Sequence, residues 1–278
     1  MLRGLSGAGL GALESTEQLI QLAGTYGFDV VDIEAESLIQ QYGVDKSREL
    51  LTQNGVGIGS IGLPVEWRST EELFVQGIHK LAKAAEAAST LGCYSCCTYI
   101  LPSTDMKAAA FMTIAIRRLR ICAQILGAYG IRLGLEFVGP HHLRTNWANP
   151  FIWTMEETLA LIEAIDERNV GLLFDSYHWY TNEMTVADIK SLKSEQIVHV
   201  HINDAHNIPV SEALDNGRLY PGEGVIDLAG FLQGLQAIGY QGAICQEVLM
   251  AEAQAESVEA LVLRSKRGFD KVFAEAGV

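Results

Sequence analysis

Positive charge is scarce in this chain of 278 residues: 20 Lys and Arg stand against 34 Asp and Glu, for a formal net charge of −14. No block of Lys or Arg gathers anywhere. Arg117, Arg118 and Arg120 sit in an otherwise apolar helical run and read as its solvated edge. A surface this acidic repels nucleic-acid phosphates and anionic membrane surfaces, which argues against both as partners. Long apolar runs are missing as well. No stretch approaches a membrane-spanning length, and the Gly-rich start MLRGLSGAGLGALESTEQ offers no apolar core for a signal peptide, so a cytoplasmic protein is expected. Prolines number only six, and no Pro/Ser-rich linker divides the chain. One domain over residues 1–278 is the expectation.

The five cysteines are odd in number, and three of them, Cys93, Cys96 and Cys97, cluster in GCYSCCTYI. No second C-x-x-C or His pair stands at a matching spacing, which argues against a zinc or redox motif. The segment reads as a strand, and its thiols as small buried apolar groups in a reducing compartment. No G-x-G-x-x-G follows the first strand, so a dinucleotide-binding open sheet lacks its signature.

What the chain does have is 49% hydrophobic residues in regular alternation. STEQLIQLAGTYGF (15–28) has a Ser/Thr start, Glu17 in its first turn, helical apolar spacing and a Gly stop. DVVDIEAE (29–36) follows as a strand. Helical sequence over 44–53 precedes the strand VGIGSIGLP (56–64). Helix and strand then alternate through 69–92, 93–102, 108–129, 131–140, 154–169, 170–178, 186–195, 196–204, 226–240, 242–250 and 257–276. With an opening strand near RGLSGAG (3–9), eight strands each precede a helical stretch. Strict β/α alternation implies a parallel sheet, and eight units in about 250 residues is the size of an α/β (β/α)8 TIM barrel.

The stretch VHVHIND (198–204) is the anomaly in this pattern. His199 and His201, two apart on a strand, share one face, while Val198, Val200 and Ile202 share the other. In such a barrel, active sites form at the C-terminal ends of the strands. There the fifth strand ends in Glu136, the sixth in Asp175, the seventh in His201 and the eighth in Glu247. Alternation turns their large apolar neighbours toward the helices and these four groups into the barrel mouth. Any one of them has a bland reading as a hydrogen-bonded interior polar group. Three carboxylates converging on one mouth, however, call for protonation or a cation. One imidazole with three carboxylates suits a single divalent ion, with Mn²⁺, Mg²⁺ or Co²⁺ favoured and Zn²⁺ admissible. His199 lies a layer deeper and reads as a supporting group.

With these residues in view, the chain resembles the xylose-isomerase-like barrels, which include sugar isomerases, ketose 3-epimerases, inosose and 3-dehydroshikimate dehydratases and endonuclease IV. The resemblance rests on L-E-F (135–137), F-D-S-Y-H (174–178), H-V-H-I-N-D-A (199–205), R-L-Y-P-G-E-G-V-I-D (218–227) and I-C-Q-E-V (244–248). It implies Glu136, Asp175, His201 and Glu247 as metal ligands, His178 and Arg218 as substrate contacts, and Glu136 and Glu247 as the catalytic acid–base pair. It implies a sugar or polyol substrate whose metal-bound carbonyl acidifies a neighbouring C–H and stabilises the resulting enediolate.

The expectation is therefore a metal-dependent isomerase or epimerase of sugars or related keto compounds, with a dehydratase as the alternative and homo-oligomerisation left open. The stretch Phe137-Val138-Gly139-Pro140-His141-His142 departs from the Asn-containing segment typical of 3-epimerases. The plain reading of His141 and His142 is as loop histidines with no special role; the alternative is an acid for a leaving hydroxyl. The endonuclease alternative lacks its extra histidines: strands three and four end in Gly-Leu-Pro and Tyr-Ile-Leu-Pro, and Gly217-Arg218-Leu219 stands where an Asp-x-His pair is needed. A non-catalytic sugar-binding barrel is a further alternative, and a broken ligand set would be its mark. Trp67, Trp147 and Trp179 would line the pocket or cover the barrel, and Glu223 is expected to face solvent.

Overall fold

Runs such as RLGLEF and VGLLFD alternate between large apolar and small or polar side chains, and each builds one stave of a barrel. The computed structural model describes residues 1–252 and 254–278. Its central sheet has nine parallel segments: β1 (Leu2–Ser6), β2 (Val30–Asp32), β3 (Gly57–Ile58), β4 (Ile61–Gly62), β5 (Ser95–Ile100), β6 (Arg132–Phe137), β7 (Val170–Asp175), β8 (Ile197–Ile202) and β9 (Ala243–Gln246). They are ordered β3-β2-β1-β9-β8-β7-β6-β5-β4. The expected third strand, 56–64, is thus two short segments, β3 and β4, joined by Gly59 and Ser60. The ring closes through this joint, and the expected fifth to eighth strands are β6 to β9.

The joint has a steric cause. A Cβ on Gly59 would lie 2.6 Å from Asp32 Oδ1, 3.2 Å from Cys245 Sγ and 3.3 Å from His199 Cε1. The chain passes so close to the barrel interior that only glycine fits.

Helices pack around the staves, as a parallel sheet requires. Their starts are legible in the sequence. Ser15 accepts from the Gln18 amide at the head of Thr16–Thr25, and Thr154 and Glu157 form a capping box at the head of Met155–Ile165. Some boundaries differ from expectation. The strand expected over 29–36 stops at Asp32, and a helix, Ala35–Tyr42, begins almost at once. The helix expected to run to 169 ends at Ile165, with Asp166 in the left-handed region at φ 58°. The helix expected over 186–195 is only Val186–Lys190.

Outward-facing residues of the staves make the core. Phe137 of β6 meets Phe174 of β7 at 5.9 Å between ring centres, and Phe174 stacks on Phe231 at 5.5 Å. Trp179 meets Phe231 edge-on at 5.5 Å and is buried, while Trp67 is fully buried and stacks on Phe111. These two tryptophans therefore cover the barrel. Trp147 lines a small cavity with Arg68 and Asp105, apart from the central mouth.

Arg118 corrects the expectation of a solvated edge. It is 3% exposed, and its guanidinium donates to the carbonyls of Trp67 and Ser69 and to Glu71. Arg120 likewise donates to the carbonyls of Ala164 and Ile165, the last turn of a neighbouring helix. An arginine in an apolar helical run can thus be a tether between elements, and periodicity alone does not distinguish the two. The five cysteines are free thiols, and all but Cys97 are buried, as expected of small apolar side chains.

Gly59→Ala is expected to destabilise the protein by about 1–3 kcal/mol through overpacking. Gly57→Ala, whose new Cβ would meet its nearest neighbour at 3.6 Å, is expected to be close to neutral. Urea unfolding of the two variants side by side checks the difference.

Candidate active site and metal centre

Strand register brings the expected residues to one level. Asp175 of β7 stands opposite His201 of β8, His201 stands opposite Cys245 of β9, and Glu136 of β6 stands opposite Leu173 of β7. Glu247 follows β9 directly, its amide donating to the carbonyl of Ile202. Ligand atoms of Glu136, Asp175, His201 and Glu247 all lie within 4.8 Å of one another. His201 Nδ1 is 3.5 Å from Glu247 Oε2, 3.7 Å from Glu136 Oε1 and 3.9 Å from Asp175 Oδ2. These distances exceed a hydrogen bond. Both His201 Nδ1 and Glu136 Oε1 are buried with no hydrogen-bond partner among the described residues. Unpaired buried polar atoms are rare, and four convergent oxygen and nitrogen donors around one point are the coordination that a divalent cation takes. The residues present therefore fit such an ion.

The other ring nitrogen of His201 explains why the first one points inward. Nε2 faces Asp32 Oδ2 at 3.5 Å, and the same oxygen takes His199 Nε2 at 2.9 Å. Cys245 Sγ donates to Asp32 Oδ1 at 3.4 Å. Asp32 is thus a largely buried bracket between the two histidines. A carboxylate behind a ligating imidazole fixes its tautomer and its orientation. His199 is 1% exposed and sits one layer deeper, as a supporting group should. The sequence reading missed Asp32, although the signal was the one used elsewhere: an acid at the C-terminal end of a strand.

Electrostatics follow from this crowding. Burial pushes the Glu136 carboxyl up, and the facing His201 does not reverse the shift. Burial opposes ionisation of Glu247 too, but His201 and Arg218 outweigh it and hold the carboxyl well below the usual range. Asp32 behaves in the same way, with His199 and His201 overcoming burial. His201 is buried among these acids, and their charges raise its pKa well above the ordinary value despite desolvation.

Asp175 is fully buried and held from three sides. The Tyr177 amide donates to Oδ1 at 2.6 Å, Asn203 Nδ2 donates to both oxygens, and Arg218 Nη1 donates to Oδ2 at 3.0 Å. The Tyr177 bond also starts the turn Ser176–Thr181, which carries His178 into the site. Gly139 N–H donates to His178 Nδ1 at 3.3 Å. Its Nε2 lies 3.4 Å from Arg218 Nη2 and 3.9 Å from Glu136 Oε1.

Arg218 is 2% exposed, and its guanidinium meets Asp175, Glu247 Oε2 at 2.8 Å and Asp215 Oδ1 at 2.8 Å. Neither Glu223 nor Asp227 pairs with it. Glu223 is exposed and pairs with Arg264, and Asp227 caps the helix Leu228–Ala237.

Arg218 is placed by a loop that hangs on Asp204. One oxygen of this buried carboxylate accepts from the amides of Gly222 and Gly224, and the other from those of Ala205 and Ile226. Asp204–Ala205 also pairs antiparallel with Arg218–Leu219. The polar tail of VHVHIND is now accounted for: His201 faces the cluster, Asn203 steadies Asp175 and Asp204 ties down the arginine loop. His141 and His142 lie on the short helix His141–Arg144 and do not line the cavity above the cluster.

Comparisons with known proteins bear on the family and the fold. The model of the xylose isomerase-like TIM barrel family matches residues 20–265. An inosose isomerase of Bacillus velezensis is 23% identical over 93% of this chain and 92% of its own. A ketose 3-epimerase of Arthrobacter globiformis is 24% identical over 85% of this chain and 74% of its own. A 3-dehydroshikimate dehydratase of Pseudomonas putida is 25% identical over 80% of this chain but only 34% of its own length. Among solved structures, a xylose isomerase domain protein from Alicyclobacillus acidocaldarius superposes with a TM-score of 0.92 at 32% identity, covering all of both chains. The IOLI protein, solved with a zinc atom, superposes at 0.82 with 20% identity over 99% of each chain.

Asp204→Ala removes the acceptor of four backbone amides. It is expected to cost roughly 3 kcal/mol, the scale of buried donors left unmade. A urea titration monitored by circular dichroism reads this directly.

Proposed function

The chain belongs to the xylose isomerase-like TIM barrel family, and from that premise we propose that it is a divalent-metal-dependent isomerase or epimerase of a sugar or polyol-derived carbonyl compound. One observation carries the reading: the buried, unpaired atoms of Glu136 and His201 face Asp175 and Glu247 across a gap of coordination size. The relatives that are isomerases and epimerases by name support the reaction class.

Glu136, Asp175, His201 and Glu247 would hold the metal. The bound ion supplies Lewis acidity to a substrate oxygen and makes the adjacent C–H more acidic. The protein's part is positioning and proton transfer. Glu136 and Glu247 arise from β6 and β9, which β7 and β8 separate, so they reach a bound molecule from two sides. One carboxylate takes the proton and the other returns it. Return to the opposite face of the same carbon inverts it, and return to the neighbouring carbon isomerises it. His178 and Arg218, expected as substrate contacts, lie beneath the cavity beside Glu136 and Glu247, where Arg218 holds Asp175 and Glu247 in place. Asp32 acts through His201 by keeping Nδ1 turned inward.

The dehydratase relatives support a second outcome of the same proton abstraction, in which a β-hydroxyl leaves instead of a proton returning.

The test is metal stoichiometry and affinity. The purified chain is expected to hold about one divalent ion, by elemental analysis and calorimetric titration with Mn²⁺. His201→Ala and Glu247→Gln are expected to lose binding. Asp32→Asn is expected to weaken it about 10- to 100-fold, the usual effect of removing the partner behind a ligating histidine. Wild-type affinity in all three variants would overturn the ligand set. Washout of a substrate C–H proton into D₂O by the loaded wild type, and its loss in Glu136→Gln, tests the chemistry.

A further inference from the structure

The cavity above the cluster measures about 310 Å³, a size that suits a monosaccharide-sized molecule. Its charged lining is one-sided. Asp32, Glu34, Glu136 and Glu247 line it with His201, and no Lys or Arg does among the described residues. The arginine beneath the cavity, Arg218, is matched to three carboxylates. The next arginine near a strand end, Arg68, stands behind the Thr98–Tyr99 wall: it donates to Thr98 Oγ1 and the Tyr99 carbonyl, pairs with Glu66, stacks on the Tyr99 ring at 4.2 Å and lines a different cavity.

The charge count leaves no room for an anion from the substrate. Glu136, Asp175, Asp215 and Glu247 carry four negative charges, against three positive ones from Arg218 and a divalent ion. Asp32 is hydrogen-bonded to His199. Glu34 pairs with no cation among the described residues. It stands exposed at the rim, where the Gly62 amide fixes its Oε1 at 3.1 Å. The second oxygen is free to accept a hydroxyl. The rest of the lining is neutral and includes Ser6, Ser60, Thr98 and Tyr99.

We infer that the substrate is an uncharged polyhydroxylated carbonyl compound, bearing no phosphate or carboxylate away from its reacting carbonyl, and that Glu34 sets this preference by accepting one of its hydroxyls at the rim. The inference rests on the function proposed above and narrows it. A phosphate or carboxylate entering this mouth would meet Glu34 with no partner cation, and like charges brought together suppress the wrong ligand. A neutral hydroxyl meets a fixed acceptor instead.

The experiment uses the Mn²⁺-loaded full chain and proton exchange in D₂O. The panel pairs neutral ketohexoses and inososes with ketohexose phosphates and 3-dehydroshikimate. At least one neutral compound is expected to exchange, with kcat/KM at least about a hundredfold above any anionic one. Glu34→Gln is expected to raise KM for the neutral compound about tenfold, the scale of one charge-assisted hydrogen bond. It should leave kcat nearly unchanged and narrow the gap to the anionic compounds. A merely structural role for Glu34 would not narrow that gap. Exchange of a phosphate or of dehydroshikimate as fast as the best neutral compound overturns the inference, as does an unchanged gap in Glu34→Gln.

Should nothing exchange although metal binds, the proposed activity fails and ligand-induced melting shifts decide the charge rule. A rise with myo-inositol and none with a hexose phosphate upholds it. A rise with the phosphate, or with neither, overturns it.

Discussion

Buried charge at the mouth of the barrel is the constraint on which the rest of the site depends. Asp32, Glu136, Asp175 and Glu247 converge there with His199 and His201, and five of these six side chains are less than 15% exposed. Isolated carboxylates at such depth are prohibitively costly. Each must be answered, and the surrounding structure reads as the set of answers. Arg218 answers Asp175 and Glu247, the Tyr177 amide and Asn203 hold Asp175, and the histidines hold Asp32. What stays unanswered is the pair of inward atoms on Glu136 and His201. Every other member of the cluster has a partner, so this gap is specific rather than a sign of loose packing.

The answers come from different structural levels, and that division fits the chemistry. The inward groups sit on or directly after barrel strands, where the hydrogen-bonded ladder fixes their backbone. Arg218 comes from a loop, which on its own would be too mobile to neutralise a buried pair. Asp204 removes that freedom by gathering four loop amides on one carboxylate. A buried acid that binds backbone amides thus makes a loop rigid enough to serve a second buried acid. Precise placement of this kind is what the proposed proton transfer at a bound carbon requires.

The parts of this arrangement that were legible in the sequence are those governed by period two. Strand alternation put Glu136, Asp175, His201 and Glu247 on inner faces, and barrel topology put them at one end. Three features escaped the same reading for physical reasons. Asp32 stands on a strand of three residues, too short to show alternation, and was absorbed into a longer expected strand. Arg118 lies on a helix, and its side chain is long enough to reach carbonyls of a neighbouring segment from a position that looks solvent-facing. Gly59 interrupts a stave because three side chains from other strands crowd its α-carbon, and no local pattern announces a neighbour so distant in sequence.

On the proposed reading, Glu34 marks where reaction and selection separate. Two residues before it, Asp32 points into the barrel and supports His201. The chain then leaves the strand, and Glu34 becomes the N-cap residue of the helix Ala35–Tyr42, with its carboxylate on the Gly62 amide. A difference of two residues carries the chain from the layer that holds the chemical groups to the layer that meets solvent and substrate. Changes at the first position disturb histidines that are already packed against each other at 5.3 Å between ring centres. Changes at the second disturb one exposed carboxylate and one amide. In this barrel the chemical layer is interlocked and intolerant, whereas the rim is built of residues with few dependants, so substrate preference can change there without unsettling the charge balance beneath.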